Sequence, residues 1–157
     1  MLKGLAVALL LVAMSAAATF WFVCPCEVVP GGPLTGDRAP AAVQDWSFVN
    51  DVDLCQLQVD RGMPWSINLN CMAGSSDLFV SCSQCAGKGW SQAVLDKPDG
   101  FIRVRETVYP VTIKQVVEPA ELDRAWRARA QKLGLDTATT RPAHWWSFQL
   151  ASNLSNL

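Results

Sequence analysis

The residues best suited to chemistry lie in one stretch, Leu78-Phe79-Val80-Ser81-Cys82-Ser83-Gln84-Cys85-Ala86-Gly87-Lys88-Gly89-Trp90. Gly87 and Gly89 leave the backbone amides open to close approach, and Lys88 between them supplies a compact positive charge. A short helical run, Ser91 to Leu95, begins directly afterwards. Glycine backbone, one cation and a helix start together make a cradle suited to a phosphate. The bland alternative is a bend closed by a disulfide, with Lys88 a solvated turn lysine. Both readings stand at this point.

Cys82 and Cys85 have the spacing of a redox-active or metal-binding pair. A thioredoxin-like site requires a βαβ setting, which the pattern lacks. A zinc site requires a second pair, and Cys24-Pro25-Cys26 has the wrong spacing. No metal site is expected, and a structural disulfide is the first expectation. His144, the only histidine, precedes Trp145 and Trp146 and reads as structural, which leaves little support for a Cys–His or Ser–His nucleophile. No catalytic residue can be named from the sequence.

Strands and turns must position this loop. Cys55, Leu57 and Val59 alternate with Gln56, Gln58 and Asp60, which predicts a strand. Arg61-Gly62-Met63-Pro64 supplies a turn. Trp65, Ile67, Leu69 and Cys71 are then expected inward, with Ser66, Asn68 and Asn70 outward, completing a hairpin. A turn centred on Met63 would set Cys55 opposite Cys71, either as a cross-strand disulfide or as two small buried hydrophobes. Ala73 to Asp77 reads as a turn, and Leu78 to Ser83 as the third strand. Further strands are expected at Phe101 to Glu106, Tyr109 to Val117 and Ala143 to Leu150. Arg103 and Arg105 are placed on one strand face, as polar surface or as a dimer or substrate contact. A late helix starts near Glu118, with Pro119 in its first turn, and stops at Gly134. Its apolar stripe is Leu122, Ala125, Trp126, Ala130 and Leu133, and Arg124, Arg127, Arg129 and Lys132 are assigned to its solvated face.

The whole chain has 157 residues, with 13 basic residues nearly balanced by 14 acidic ones. No basic patch stands out, which argues against nucleic acid as a partner. Gly4 to Cys24 is uncharged, and at a helical rise it covers about 30 Å, the thickness of a bilayer's hydrocarbon core. Residues 1–26 therefore read as a membrane anchor or a signal sequence, and residues 27–43, rich in Pro and Gly, as a tether. Residues 44–157 form the folded domain. The apolar run resumes at Thr19-Phe20-Trp21-Phe22-Val23, beyond the alanines of a signal-peptide site, which favours the anchor. Lys3 lies on one flank, so the positive-inside rule puts the domain on the extracytoplasmic (periplasmic) side, where six cysteines are candidates for disulfides.

Several antiparallel strands, a short helix after the third, a longer late helix and a terminal aromatic strand predict a mainly β (α+β) fold, a small closed or split antiparallel β-barrel behind an N-terminal transmembrane helix; the resemblance that follows implies the antiparallel split β-barrel. Here the chain resembles the flavin-binding split-barrel superfamily, which includes pyridoxamine-phosphate-oxidase-like and deazaflavin-dependent nitroreductase-like proteins. The resemblance is carried by Trp65-Ser66-Ile67-Asn68, Leu78-Phe79-Val80-Ser81, Gly87-Lys88-Gly89-Trp90, Asp96, Pro98, Arg103-Val104-Arg105, Tyr109 and Trp145-Trp146-Ser147-Phe148. It implies a homodimer with a flavin (FMN) or deazaflavin at the subunit interface, and redox transfer to a small organic acceptor. It also implies cofactor contacts at Ser66, Ser81, Gly87, Lys88, Gly89 and Trp90, with Lys88 on the phosphate and Trp90 walling the ring. Cys82 and Cys85 depart from the pattern. They leave open the alternative of a cofactor-free envelope binding or assembly module stiffened by disulfides.

Overall fold

The computed structural model describes residues 2–22 and 30–153. Cys24 and Cys26 therefore lie outside the described residues. Helix α1 (Leu2–Phe22) precedes strands β1 (Asp37–Arg38), β2 (Cys55–Asp60), β3 (Pro64–Leu69), β4 (Cys71–Gly74) and β5 (Asp77–Ser83). Helix α2 (Gly89–Asp96) leads to β6 (Asp99–Val104) and β7 (Thr107–Val116). Helix α3 (Pro119–Lys132) and β8 (Trp145–Ser152) complete the order. The strands form one curled sheet in the order β3-β2-β6-β7-β8-β5-β4, antiparallel throughout, with β1 added parallel to the start of β7. The antiparallel split barrel is thus the fold, with α1 ahead of it. That helix is long and apolar enough to cross a membrane by length and composition, and its described side chains are almost all exposed.

The two edge strands, β3 and β4, are consecutive in the chain, with only Asn70 between them. Curling the sheet brings its ends together at that corner. Leu57, Val80, Ile102, Val111 and Phe148 fill the interior, where burial of apolar surface supplies the main stabilisation. A second apolar cluster lies on the outer face, where Ala125, Trp126 and Ala128 of α3 cover Met72, Phe79 and Trp145.

The hairpin register differs from the expected one. Its turn centres on Gly62 (φ +84°), whose N–H donates to Asp60 Oδ1 at 2.7 Å, so Asp60 pairs with Pro64 and Cys55 with Leu69. Glycine takes this positive φ without strain, which moves the centre one residue from Met63. Cys55 and Cys71 are nonetheless joined in a disulfide, because Cys71 begins β4 just past the corner. β4 also replaces the first half of the turn expected from Ala73.

Ser66 was expected outward and is fully buried, because β3 is covered on its free edge. Gly31 N–H donates to Ser66 O at 2.9 Å, and Ser66 N–H to Gly31 O at 2.8 Å. Residues 30–39, inside the stretch read as a tether, run across the outer face of the sheet as a strap. Leu34 N–H donates to Gln58 Oε1 (2.7 Å), Arg103 Nη1 to Thr35 O (3.0 Å), and β1 pairs with Thr107 and Val108. At its other end, Gly32 N–H donates to Phe20 O, and the Phe20 ring lies 5.9 Å from that of Trp65.

Helix α3 begins and ends as expected, with Pro119 in its first turn and Gly134 at φ +63° past its end. Leu133, expected in the apolar stripe, is 40% exposed. Two cations expected in solvent are engaged otherwise. Lys132 Nζ donates to Val49 O (2.8 Å) and Cys71 O (2.5 Å), and Arg124 pairs with Asp77 at 2.9 Å.

Candidate functional site

A cavity of about 460 Å³ opens where the barrel is split. β5 contributes Ser81 and Ser83 from its outer face, and β8 contributes Trp145, paired with Ser83. The β3–β4 corner contributes Asn68, Leu69 and Asn70. Lys88 enters from the loop before α2, and Arg129 from the last turns of α3. No carboxylate lines this space, while two cations do.

Local chemistry holds the loop that carries Lys88. The Cys82–Cys85 disulfide closes a tight bend in which Gln84 adopts φ +55°. A single 3-10 turn, Cys85–Gly87, follows, and the Lys88 N–H donates to Cys85 O at 2.9 Å. Buried Ser91, in the first turn of α2, donates its hydroxyl to Lys88 O at 2.8 Å and also reaches Cys85 O. These bonds add a side-chain donor to two carbonyls that already accept from the backbone, Cys85 O from Lys88 N–H and Lys88 O from Gln92 N–H. They fix the backbone at Lys88, while its side chain stays exposed.

Trp145 is only 3% exposed, and its ring meets that of Trp126 edge-on at 5.2 Å. Among the described residues its indole Nε1–H has no acceptor. Buried donors without partners are uncommon in native proteins. The Arg129 guanidinium lies 5.3 Å from the Trp126 ring centroid, a cation–π contact that steadies it at the cavity wall.

A second cavity of about 370 Å³ adjoins the first and shares Leu54 and Asn68 with it. Arg103 and Arg105 line it with Gln56 and Asp53. They do not share a strand face as expected. β6 ends at Val104, and Arg105 sits in the following turn at φ +55°.

Of the expected cofactor contacts, the structure brings Ser81 and Lys88 together on the first cavity. Gly87, the end of the 3-10 turn, and Gly89, the first residue of α2, flank Lys88. A Cβ at Gly87 would meet nothing within 4 Å, whereas one at Gly89 would lie 2.6 Å from Arg61 Nη2. Gly89 therefore makes room for Arg61, whose guanidinium stacks over the Trp65 ring at 4.4 Å. Ser66 lies buried under the strap side of β3. Trp90 packs in the barrel core, 5.2 Å from the Phe148 ring. Neither lines the cavity. Arg129, Trp145 and Asn70 were missed as site residues. Arg129 carried one usable signal, its position three residues after Trp126 at the border of the apolar stripe.

Barrel, corner and cavity together define a split β-barrel. No protein-family model and no curated protein matches the chain. Solved structures match its fold. A Listeria innocua protein provisionally described as a pyridoxamine 5'-phosphate oxidase aligns with a TM-score of 0.54 and 7% identity, over 67% of this chain and 87% of that one. A conserved hypothetical protein from Mycobacterium tuberculosis aligns with a TM-score of 0.53 and 12% identity, over 74% and 86%. A NimC/NimA family protein from Clostridium acetobutylicum aligns with a TM-score of 0.49 and 9% identity, over 66% and 76%. At these identities the likeness is one of fold.

Proposed function

We propose that this protein is a membrane-anchored, homodimeric split-barrel flavoprotein that transfers redox equivalents to a small organic acceptor on the extracytoplasmic side. The cofactor is flavin mononucleotide or a deazaflavin. One observation carries the reading: Ser81 and Lys88, assigned to the cofactor on resemblance alone, meet on one cavity of about 460 Å³. That volume is within the range of cofactor sites. The donor set fits a phosphorylated cofactor, because both charged groups are cations and the hydroxyls of Ser81 and Ser83 stand beside them.

When bound, the flavin-type cofactor supplies the electron chemistry. The residues of this chain bind and orient it. Lys88 and its neighbours hold the phosphate, and the β3–β4 corner with Leu54 and Leu69 offers an apolar wall. Arg103 and Arg105 of the second cavity would receive the acceptor. The two disulfides and the apolar α1 support an anchored domain in an oxidising compartment.

The test is titration of the detergent-solubilised full chain with flavin mononucleotide and with a deazaflavin, followed by absorbance, in the wild type and in Lys88→Ala. Binding that weakens at least about tenfold in the variant is expected, the value of one charge-assisted hydrogen bond. If neither compound binds at saturation, the enzyme reading is dropped. A second reading then takes its place, a cofactor-free envelope binding or assembly module. The Cys82–Cys85 bridge next to Lys88 and the burial of Ser66 and Trp90 favour it.

A further inference from the structure

We infer that the tip of the β2–β3 hairpin, Arg61 to Trp65, rests in the phospholipid headgroup layer of the membrane that α1 crosses, so that the barrel sits on the bilayer in one orientation. The inference goes beyond the reading above and rests on one part of it, that α1 is a retained anchor.

The placement of α1 carries the argument. Between residues 4 and 22 only Phe20 is partly buried, so the helix stands clear of the barrel and touches it at its last turn. Phe20 O is one of the last four helix carbonyls, which lack a partner within the helix, and Gly32 N–H donates to it at 2.7 Å. A Cβ at Gly32 would lie 2.7 Å from that same backbone oxygen, so only glycine allows the approach. Gly31 exchanges two backbone hydrogen bonds with Ser66, and the neighbouring Trp65 ring lies 5.9 Å from the Phe20 ring. Gly31 and Gly32 thus clamp the end of α1 to β3, and the domain does not swing on a loose tether.

Distance then selects the surface. The 21 residues of α1, at about 1.5 Å each, match the hydrocarbon core, and Phe20 lies two residues from the end. Phe20, Trp21 and Phe22 there form an aromatic cluster suited to the interface. The headgroup layer outside the core is about 5–8 Å deep on each side. A ring 5.9 Å from Phe20 falls within it.

The tip has the matching chemistry. Trp65 is half-buried, with the Arg61 guanidinium 4.4 Å from its ring centroid. Arg61 is exposed and has no ion pair among the described residues, because the adjacent Asp60 is taken by Lys97 at 2.6 Å and by Gly62 N–H. Its planar fork is free for lipid phosphate oxygens. Met63, 46% exposed in the turn, offers a flexible apolar side chain to the acyl boundary. A cation, an interfacial Trp and an apolar tip are the combination that holds a protein surface to a bilayer.

The test uses the full chain in phospholipid nanodiscs doped with a lipid that carries a gadolinium chelate on its headgroup. Nuclear magnetic resonance reads the relaxation of each amide. Gly62, Met63 and Trp65 should relax several-fold faster than Gly134 and Leu135. Those controls follow Lys132, which meets Cys71 O beside the Cys55–Cys71 bridge, at the end of β2 about 17 Å from Asp60. R61E should lift the tip and slow the relaxation of Gly62 and Met63 several-fold, and R61K, which keeps the charge, should recover part of it. G32V, which forces Phe20 O away from the strap and leaves the tip unaltered, should act like R61E.

Equal relaxation at Gly62 and Gly134 in the intact chain would overturn the docking while leaving α1 an anchor. A relaxation at Gly62 that R61E leaves unchanged would overturn it too. Loss of α1 from the purified chain, read by mass spectrometry, would overturn the anchor reading and the docking with it.

Discussion

Cys55 and Cys71 join the two ends of the curled sheet. Their Cα atoms lie 5.7 Å apart, one in β2 next to the edge and the other at the start of the opposite edge strand, β4. The bond closes a loop of 16 residues that contains the whole β2–β3 hairpin. By the chain-entropy account, a loop of that size is worth about 3 kcal/mol through restriction of the unfolded chain. Replacing both cysteines by alanine should lower stability by about 2–4 kcal/mol, read as a shift in the urea midpoint of the solubilised chain. A midpoint that is the same with and without reductant would show that the bridge contributes nothing. A thiol count on unreduced protein checks the compartment, because none of the four described cysteines should react.

Much of the barrel was legible because its strands obey a simple alternation. Leu57 and Val59 face the core while Gln56 and Gln58 do not, and Pro119 and Gly134 bracket α3. β4 was invisible for a physical reason. Cys71 and Ala73 face the interior and Met72 lies under α3, so both faces are buried and no alternation shows. The strap escaped because it is held by backbone pairing at Gly31 and at Asp37–Arg38, which leaves no side-chain period. At the site, Ser81 and Lys88 could be read together because one short stretch, the end of β5 and the loop after it, carries both. Arg129 and Trp145 come from elements far along the chain; the pairing of β8 with β5 brings Trp145 to that site, and the packing of α3 on the outer face of the sheet brings Arg129.

Lys132 couples the end of α3 to the barrel's corner. Burial holds its ammonium below the usual value of 10.5, despite opposing attraction from Asp53 and Asp51. In the unfolded chain the group titrates near 10.5, so between the folded value and 10.5 the unfolded state binds more protons. Stability from this group therefore rises with pH across that window. K132M removes the titration and leaves the carbonyls of Val49 and Cys71 without their donor. The variant should lose about 1–3 kcal/mol near neutral pH, and the gap to the wild type should widen as pH approaches 10.5. Denaturation curves at several pH values check both. A gap that narrows as pH rises would contradict the assignment.

Gly36 and Gly89 make the sharpest paired test, because both are crowded but by different kinds of neighbour. At Gly36 (φ +144°) a Cβ would lie 2.3 Å from Glu106 O, a backbone atom fixed by the β6–β7 turn and bonded to Asp37 N–H. At Gly89 the obstacle is Arg61 Nη2, the far end of an exposed and flexible side chain. Gly36→Ala must therefore displace the strap from β7 and combine steric overlap with a backbone conformation that alanine avoids, a loss of about 1–3 kcal/mol. Gly89→Ala should cost less than about 1 kcal/mol, since Arg61 can leave the Trp65 ring, and alanine gains where glycine sat in a helix. Hydrogen exchange gives the local signature. In Gly36→Ala the amides of Asp37 and Ala39 should lose protection while those of β2 and β8 keep theirs. Equal stability losses in the two variants would show that the strap is not held where the Asp37–Glu106 and Ala39–Val108 bonds place it.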